Sequence, residues 1–236
     1  MVDQASYDSV AVDYDQWVSH DGLVLSDGAF AELVGVVSGQ HVCAVACGAG
    51  RETRYLAEQG AIVTGVDLSE KLIDIARERE ASAPQGIAYS IGNAHDLEGL
   101  SNESFDGVVC YMALMDIPRL DLALSSIARV LKPGGWFVFA ITHPCFKTPA
   151  YGEITDHVDG SVRRTVGRYF DEGLWEGPGK NSRYLPALAY HRTLSTYVNA
   201  LSAAGLTIEQ FREPPRETPV WREVAQLLYA RCQKPR

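Results

Sequence analysis

The sequence holds no apolar run near the roughly 20 residues that a bilayer-crossing helix needs, so no membrane partner is expected. Its five cysteines form no Cys-x-x-Cys pair. An odd, scattered set fits a reducing compartment better than a disulfide framework. Without paired cysteines or a His-Glu-x-x-His motif, no metal site is expected. The opening Met1-Val2-Asp3-Gln4 lacks the basic-then-apolar pattern of a signal peptide, and the expectation is a cytoplasmic protein. Positive charge is also scarce: 21 Lys and Arg face 30 Asp and Glu, for a net charge of −9. The densest basic clusters, Arg163-Arg164 with Arg168 and Arg212 with Arg216, have Asp159, Asp171, Glu209 and Glu217 close by. A surface of that sign repels a phosphate backbone. Nucleic acid is therefore not an expected partner, whereas a small polar molecule is allowed.

Two completions of a nucleotide-binding turn are missing as well. The stretch Val42-Cys43-Ala44-Val45-Ala46-Cys47-Gly48-Ala49-Gly50 ends an apolar strand pattern in a glycine-rich turn. Thr53 stands where a dinucleotide fingerprint needs its third glycine, and no Gly-Lys-Ser/Thr follows. What remains is a turn whose glycines let the backbone bend and approach a ligand. A second apolar run, Ala61 to Val66, then ends in Asp67. An acid at that position can accept both hydroxyls of a ribose. Together these features describe a pocket for an adenosine-containing cofactor.

Strand and helix signals alternate along the chain, which implies an α/β protein with a parallel sheet and helices on both faces. Strands are expected over 42–46, 61–67, 86–91, 105–111, 136–141, 207–211 and 227–232. Arg51 to Gln59 reads as a helix stopped by Gly60. Ser69 caps the next helix, and Glu70 suits its positive end. Leu120, Leu124, Ile127, Ala128 and Leu131 fall on one helical face, which Lys132-Pro133-Gly134-Gly135 ends. Leu194, Tyr197, Val198, Leu201 and Ala204 mark a further helix, closed by Gly205. Residues 143 to 190 break this rhythm. Glycine and proline recur there, and seven aromatics gather: Phe146, Tyr151, Tyr169, Phe170, Trp175, Tyr184 and Tyr190. Long inserts of this kind are often lids or binding loops, and this one follows the fifth strand at the end where open parallel sheets bind ligands. It reads either as a cover over a substrate or as a small subdomain packed on itself.

Four ordered segments carry a resemblance: Ala46-Cys47-Gly48-Ala49-Gly50, Gly65-Val66-Asp67-Leu68-Ser69, Phe105-Asp106-Gly107-Val108-Val109 and Leu131-Lys132-Pro133-Gly134-Gly135. They resemble the successive motifs of class I S-adenosylmethionine-dependent methyltransferases. Met112-Ala113-Leu114-Met115-Asp116-Ile117 and His143-Pro144-Cys145-Phe146 are similar to a small-molecule branch of that family. The resemblance implies a Rossmann-like, seven-stranded, mostly parallel sheet whose last strand is antiparallel, with an inserted lid segment. It implies one methyltransferase domain over 1–236, with an N-terminal helical cap over 1–38 and a substrate-covering insertion over 143–190. It further implies S-adenosyl-L-methionine as cofactor and methyl transfer to a small-molecule acceptor, in a monomer or homodimer.

Site residues follow from these motifs. Ala46, Cys47, Gly48 and Gly50 are expected along the methionine and ribose portion, and Asp67 on the ribose hydroxyls. Leu68, Asn93, Ala94 and His95 fall near the adenine, and the backbone of Tyr111-Met112 near the ammonium. Arg51 is either a carboxylate ligand or a solvated helix-start residue. Tyr14 belongs to an N-terminal segment similar to the one that covers the cofactor in related enzymes; it either binds the carboxylate or packs. One departure stands out. The family commonly has an acid where this chain has Ala44, so main-chain carbonyls or an acid from elsewhere must meet the cofactor's ammonium. His143, at the end of the fifth strand, is the first candidate for a general base, and His191, beside Tyr190, the second. Tyr169, Trp175 and Tyr190 are expected to meet the acceptor. Asp116 and Asp121 read as helix-start residues. Two other functions stay open: a nicotinamide-dependent oxidoreductase, which the missing third glycine opposes, and a non-catalytic cofactor-binding protein.

Overall fold

The computed structural model describes residues 6–21, 28–155, 160–176 and 188–236. A 3-10 turn at Ser6–Ser9 leads into α1 (Ala11–Asp21), and α2 spans Ala29–Val34. Alternation then begins: β1 (His41–Val45), α3 (Arg51–Glu58), β2 (Ile62–Asp67), α4 (Glu70–Ser82), β3 (Ala88–Ile91), β4 (Phe105–Tyr111), α5 (Leu120–Val130) and β5 (Leu131–Thr142). After the insertion come α6 (Leu194–Ala203), and, separated by α7 (Pro219–Glu223), two further strands of the main sheet. The insertion contributes β6 (Ala150–Thr155), β7 (Val162–Gly167), β8 (Gly173–Glu176) and β9 (Leu188–His191), so the closing strands are β10 (Thr207–Arg212) and β11 (Leu227–Gln233).

The seven-stranded sheet runs β10-β11-β5-β4-β1-β2-β3. Strands β1 to β5 pair in parallel, and β11 is antiparallel to both of its neighbours. The expected Rossmann-like sheet with an antiparallel last strand is what the chain adopts. Alternation along β5 shows why helices cover both faces. Phe137, Phe139 and Ile141 join one core with Leu124 and Ile127 of α5 and Tyr197 of α6. Trp136, Val138 and Ala140 join the other with Phe30 of α2, Leu56 of α3 and Ile73 of α4. Phe137 and Phe139 are almost fully buried, each stabilising the fold by about 1.5–3 kcal/mol.

The amino ends of the strands are fastened by motif residues. Lys132 Nζ lies 2.6 Å from Asp106 Oδ1, and the His41 N–H donates to Asp106 Oδ2 at 2.8 Å. Strand β5 starts earlier than its apolar run suggests. Leu131 already pairs with Phe105, the chain bulges through Gly134 at φ 78°, and pairing resumes between Gly107 and Trp136. The insertion forms two antiparallel strand pairs, β6 with β7 and β8 with β9. Tyr184, counted among its aromatics, lies outside the described residues. His191 ends β9 rather than starting a helix; α6 begins at Leu194, capped by Thr193. The insertion is tied to the loop after β4: the Tyr190 N–H donates to the Met115 carbonyl at 2.8 Å. The Arg192 guanidinium donates to the carbonyls of Leu114, Ile117 and Pro118.

Candidate active site

Strands β1 and β4 are neighbours, and the chain leaves their carboxyl ends toward opposite sides of the sheet. That crevice is where open α/β sheets bind ligands. Two non-glycine residues there adopt left-handed backbone: Ala46 after β1 and Met112 after β4, both at φ 54°. Each such conformation costs on the order of 1–3 kcal/mol and tends to mark a working site. Both are held by hydrogen bonds next to them. The Cys47 N–H donates to the Val66 carbonyl at 3.1 Å, and the Met112 N–H to the Ala140 carbonyl at 2.8 Å.

Three connected cavities open from this crevice. The first, about 190 Å³, is lined by Ala46, Gly48, Asp67, Leu68, Asn93 and Ala94, with His95 beside them. The Gly48 N–H donates to Asp67 Oδ2 at 2.7 Å, and the Ser69 N–H to Asp67 Oδ1 at 2.8 Å. Each oxygen keeps a further lone pair, so the oriented carboxylate can still take a diol. Burial pushes the Asp67 carboxyl up, while these backbone donors pull it back. Asn93 Oδ1 accepts from the His95 N–H at 3.0 Å, which leaves the Asn93 amide hydrogens to face a ligand. An adenosine fits this donor set. A Cβ built at Gly48, at φ 52°, would meet only Leu72 Cδ1, at 4.0 Å, so the turn leaves an open cradle.

The second cavity lies on the other side of the Gly48 turn, lined by Cys47, Arg51 and Glu52. Arg51 Nη1 donates to the Val18 carbonyl at 2.9 Å, so its guanidinium joins α1 to α3 as well as lining the cavity. Burial pushes the Glu52 carboxyl up to about 7. The third cavity, about 270 Å³, is lined by Trp17, Met115, Asp116, Trp175, Tyr190 and His191. Tyr14, Tyr111 and Met112 border all three cavities, and Asp116 and Tyr190 border the first and third. The Tyr7 hydroxyl donates to Asp116 Oδ2 at 2.9 Å, and burial pushes the Asp116 carboxyl up to about 7.

Most expected site residues gather here: Tyr14, Ala46, Cys47, Gly48, Arg51, Asp67, Leu68, Asn93, Ala94, His95, Tyr111, Met112, Trp175, Tyr190 and His191 all line a cavity. Three do not. Gly50 borders none of these cavities. It starts α3 at φ 83°, and a Cβ there would collide with the Tyr89 ring, so its role is close packing. Tyr169 does not reach the acceptor side; its hydroxyl accepts from the Leu194 N–H at 2.8 Å. His143 is turned away from the cleft. Thr142 and Pro144 line the cavity, while His143 between them does not. His143 Nδ1 accepts from the Cys145 N–H at 3.2 Å. Its Nε2 therefore carries the proton and donates to Glu213 Oε1 at 2.6 Å. Neither ring nitrogen is left for an acceptor, which corrects the expected base.

His191 is placed differently. Its Nε2 lies 2.8 Å from the Tyr169 carbonyl, which can only accept. Nε2 thus donates to that carbonyl, and the ring lines the third cavity. Asp116 and Glu52 are the residues that sequence reasoning passed over. Asp116 does not cap α5; it lies in the loop before that helix with its carboxylate in the cavity wall. Asp121 is exposed and pairs with Arg119. Among the described residues no cluster of His, Cys, Asp or Glu could hold a metal ion, and no helix is long and apolar enough to cross a membrane.

Comparison with known proteins agrees with this geometry. A family model described as a methyltransferase domain matches residues 43–139. The chain is 36% identical over 117 residues to a ubiquinone biosynthesis O-methyltransferase of Coxiella burnetii, covering 49% of each chain. It is 37% identical over 125 residues to a demethylmenaquinone methyltransferase of Tropheryma whipplei, covering 52% of this chain and 51% of that one. The aligned part thus spans about half the length of these relatives. A solved S-adenosylmethionine-dependent methyltransferase from Mesorhizobium loti superposes with a TM-score of 0.75 at 28% identity, over 87% of this chain and 96% of that one. The aligned half of the sequence carries the cofactor cradle, and the fold match carries the rest. Residues 43–139 thus match a methyltransferase domain, and the fold is similar to that of a solved S-adenosylmethionine-dependent methyltransferase.

Proposed function

We propose that the protein transfers a methyl group from S-adenosyl-L-methionine to an oxygen or nitrogen of a small molecule held in the third cavity. The observation that carries this reading is the junction. The cavity that fits adenosine meets an apolar, aromatic-walled cavity across Tyr14, Tyr111, Met112 and Asp116, so donor and acceptor can approach there. The bound cofactor supplies an electrophilic methyl on a sulfonium and leaves as S-adenosylhomocysteine. The protein supplies alignment and exclusion of water. The quinone-pathway relatives also act on small molecules by name, which favours a small acceptor.

Asp67 holds the ribose, Asn93 and Leu68 hold the base, and Glu52 takes the place of the acid missing at Ala44. Among the described residues Asp116 is the one carboxylate bordering both the adenosine and acceptor cavities. With its carboxyl near 7, it is half ionised near neutral pH, where a general base works best. It takes the proton that an oxygen acceptor loses as it is methylated. His191 lines the same cavity and positions the acceptor. The insertion's β8 and β9 cover this cavity through Trp175 and Tyr190.

The Asp116→Asn variant tests the assignment. Turnover of an oxygen acceptor is expected to fall about 10²–10⁴-fold, with S-adenosylhomocysteine affinity by calorimetry unchanged. Turnover within threefold of the parent, ~0.6 kcal/mol on the barrier, would remove Asp116 as the base and leave His191. Failure of the parent protein to bind S-adenosylhomocysteine would remove the methyltransferase reading itself.

A further inference from the structure

The far wall of the acceptor cavity has the opposite charge to Asp116. Lys147 and Arg216 line it there. Lys147 follows β5 on a turn closed by its own N–H to the His143 carbonyl at 2.9 Å. No carboxylate pairs with its ammonium among the described residues; the Trp221 ring centroid lies 5.9 Å from it. Burial, then the charges of Arg164 and Arg216, push this ammonium down to about 8.

Arg164, on β7, stands behind it. Its side chain is only 3% exposed. Its guanidinium is sandwiched between the rings of Tyr151 and Trp221, at 4.1 and 4.4 Å from their centroids. Arg164 Nε donates to the Phe146 carbonyl at 2.9 Å, and Nη1 makes a long 3.4 Å contact to the half-exposed Glu153. Arg164 Nη2 is buried with no partner, although Arg164 itself does not line the cavity. A third cation on the cavity, Arg192, is different, because its nitrogens are taken by the carbonyls of Leu114, Ile117 and Pro118.

Lys147 and Arg216 line one cavity, with Arg164 behind Lys147, in a protein of net charge −9. Like charges in a low-dielectric wall repel. An oxyanion with several lone pairs on the Lys147 ammonium relieves that repulsion. We propose that this end of the cavity is an anion subsite, and that the acceptor is a small aromatic molecule carrying a carboxylate or phosphate. The aromatic body lies against Trp17, Trp175 and Tyr190. Asp116 repels the anionic group and the Lys147 end attracts it, so the two ends orient the acceptor with its nucleophile toward the methyl. This deepens the function proposed above and rests on it.

The test uses the full chain saturated with S-adenosylhomocysteine, with 4-hydroxybenzoate, phenyl phosphate and phenol as calorimetric probes. At least one anion is expected to bind tenfold or more tightly than phenol, and comparing the two anions separates carboxylate from phosphate. Lys147→Met and Arg216→Gln should each erase that preference, and Lys147→Arg should keep most of it. S-adenosylhomocysteine affinity should stay the same throughout. Equal binding of phenol and both anions would overturn the subsite, as would a preference that survives in the double variant. So would the absence of saturable anion binding up to roughly 10 mM, weaker than about −2.7 kcal/mol, while S-adenosylhomocysteine still binds. The comparison of probes on the parent protein needs no variant to fold. If the parent binds no S-adenosylhomocysteine, the methyltransferase reading fails first.

Discussion

The two sides of the Tyr111–Met112 junction are built by different means. On the cofactor side, the groups that meet a ligand are backbone atoms and one carboxylate at the ends of two adjacent strands. The Gly48 and Ser69 N–H groups aim Asp67, and positive-φ residues at 46, 48 and 112 turn the chain out of its way. On the acceptor side, side chains converge from the N-terminal helix, the loop after β4, the turn after β5, the insertion and the loop before α7. A site made of strand ends is fixed by the sheet and tolerates little change. A site made of side chains on separate segments can be re-specified one residue at a time. The fixed half suits a ligand shared across a family, and the variable half suits an acceptor particular to one member.

The sharpest way to break that division is Asp67→Ala. It removes the diol acceptor and orphans two N–H groups at once. Hydrogen bonds to a charged group contribute about 1.5–3 kcal/mol each, so S-adenosylhomocysteine affinity should fall about a hundredfold or more by calorimetry. Affinity for an aromatic carboxylate, measured without cofactor, should not move. A parallel fall in both would mean that the two halves act as one unit.

A smaller effect sharpens the cofactor side. Glu52 keeps its proton up to about 7, where an ordinary glutamate has lost it. Below that pH the carboxyl is neutral and gives the cofactor's ammonium little. Above it the carboxylate is ionised and attracts the cation. Affinity for S-adenosylhomocysteine should therefore rise with pH through about 7 in the parent. Glu52→Gln should lose about tenfold, ~1.4 kcal/mol, above about pH 8 and almost nothing near pH 5.5. A loss of the same size at both ends of that range would show that Glu52 acts through packing instead of charge.

The same division explains what could be read from the residues alone. Gly48 and Asp67 are local: strand, turn and acid lie within one βαβ unit, and spacing places them, whereas the Tyr111–Met112 turn ends β4, the sheet neighbour of β1. The parallel character of the main sheet follows from the same alternation, while its antiparallel last strand was legible only through the resemblance. Glu52 and Asp116 resisted because their significance is desolvation, which depends on what α1 and the Tyr7 segment lay over them. Asp116 next to a helix start reads as a cap until Tyr7, 109 positions away, is seen to donate to it. Arg164 read as part of a basic cluster beside acids because the rings of Tyr151 and Trp221 that hold it lie 13 residues before it and 57 after it in sequence. The insertion resisted for another reason. Its strands are short and half-exposed, so the alternation that marks a buried strand is weak.

The smallest expected effect is at His143, and it bears on the comparison most directly, because this histidine sits at a strand end yet serves neither half. Thr142, the last residue of β5, and Pro144 line the acceptor cavity, and His143 between them does not. Its ring joins β5 to Glu213 and stacks near Phe146, with centroids 4.8 Å apart. Burial pushes the imidazole down while Glu213 holds it up, and burial is the larger influence, so the ring stays neutral and donates one hydrogen bond. His143→Gln preserves a donor of similar reach. It should leave kcat and S-adenosylhomocysteine affinity within about threefold of the parent and lower stability by about 1 kcal/mol, the usual net worth of one hydrogen bond. Thermal unfolding together with steady-state turnover measures both. A variant that folds with unchanged stability but turns over a hundred times more slowly would put His143 back in the chemistry. The acceptor would then have to enter from the Glu213 side, and the division between a backbone-built cofactor half and a side-chain-built acceptor half would need a third wall.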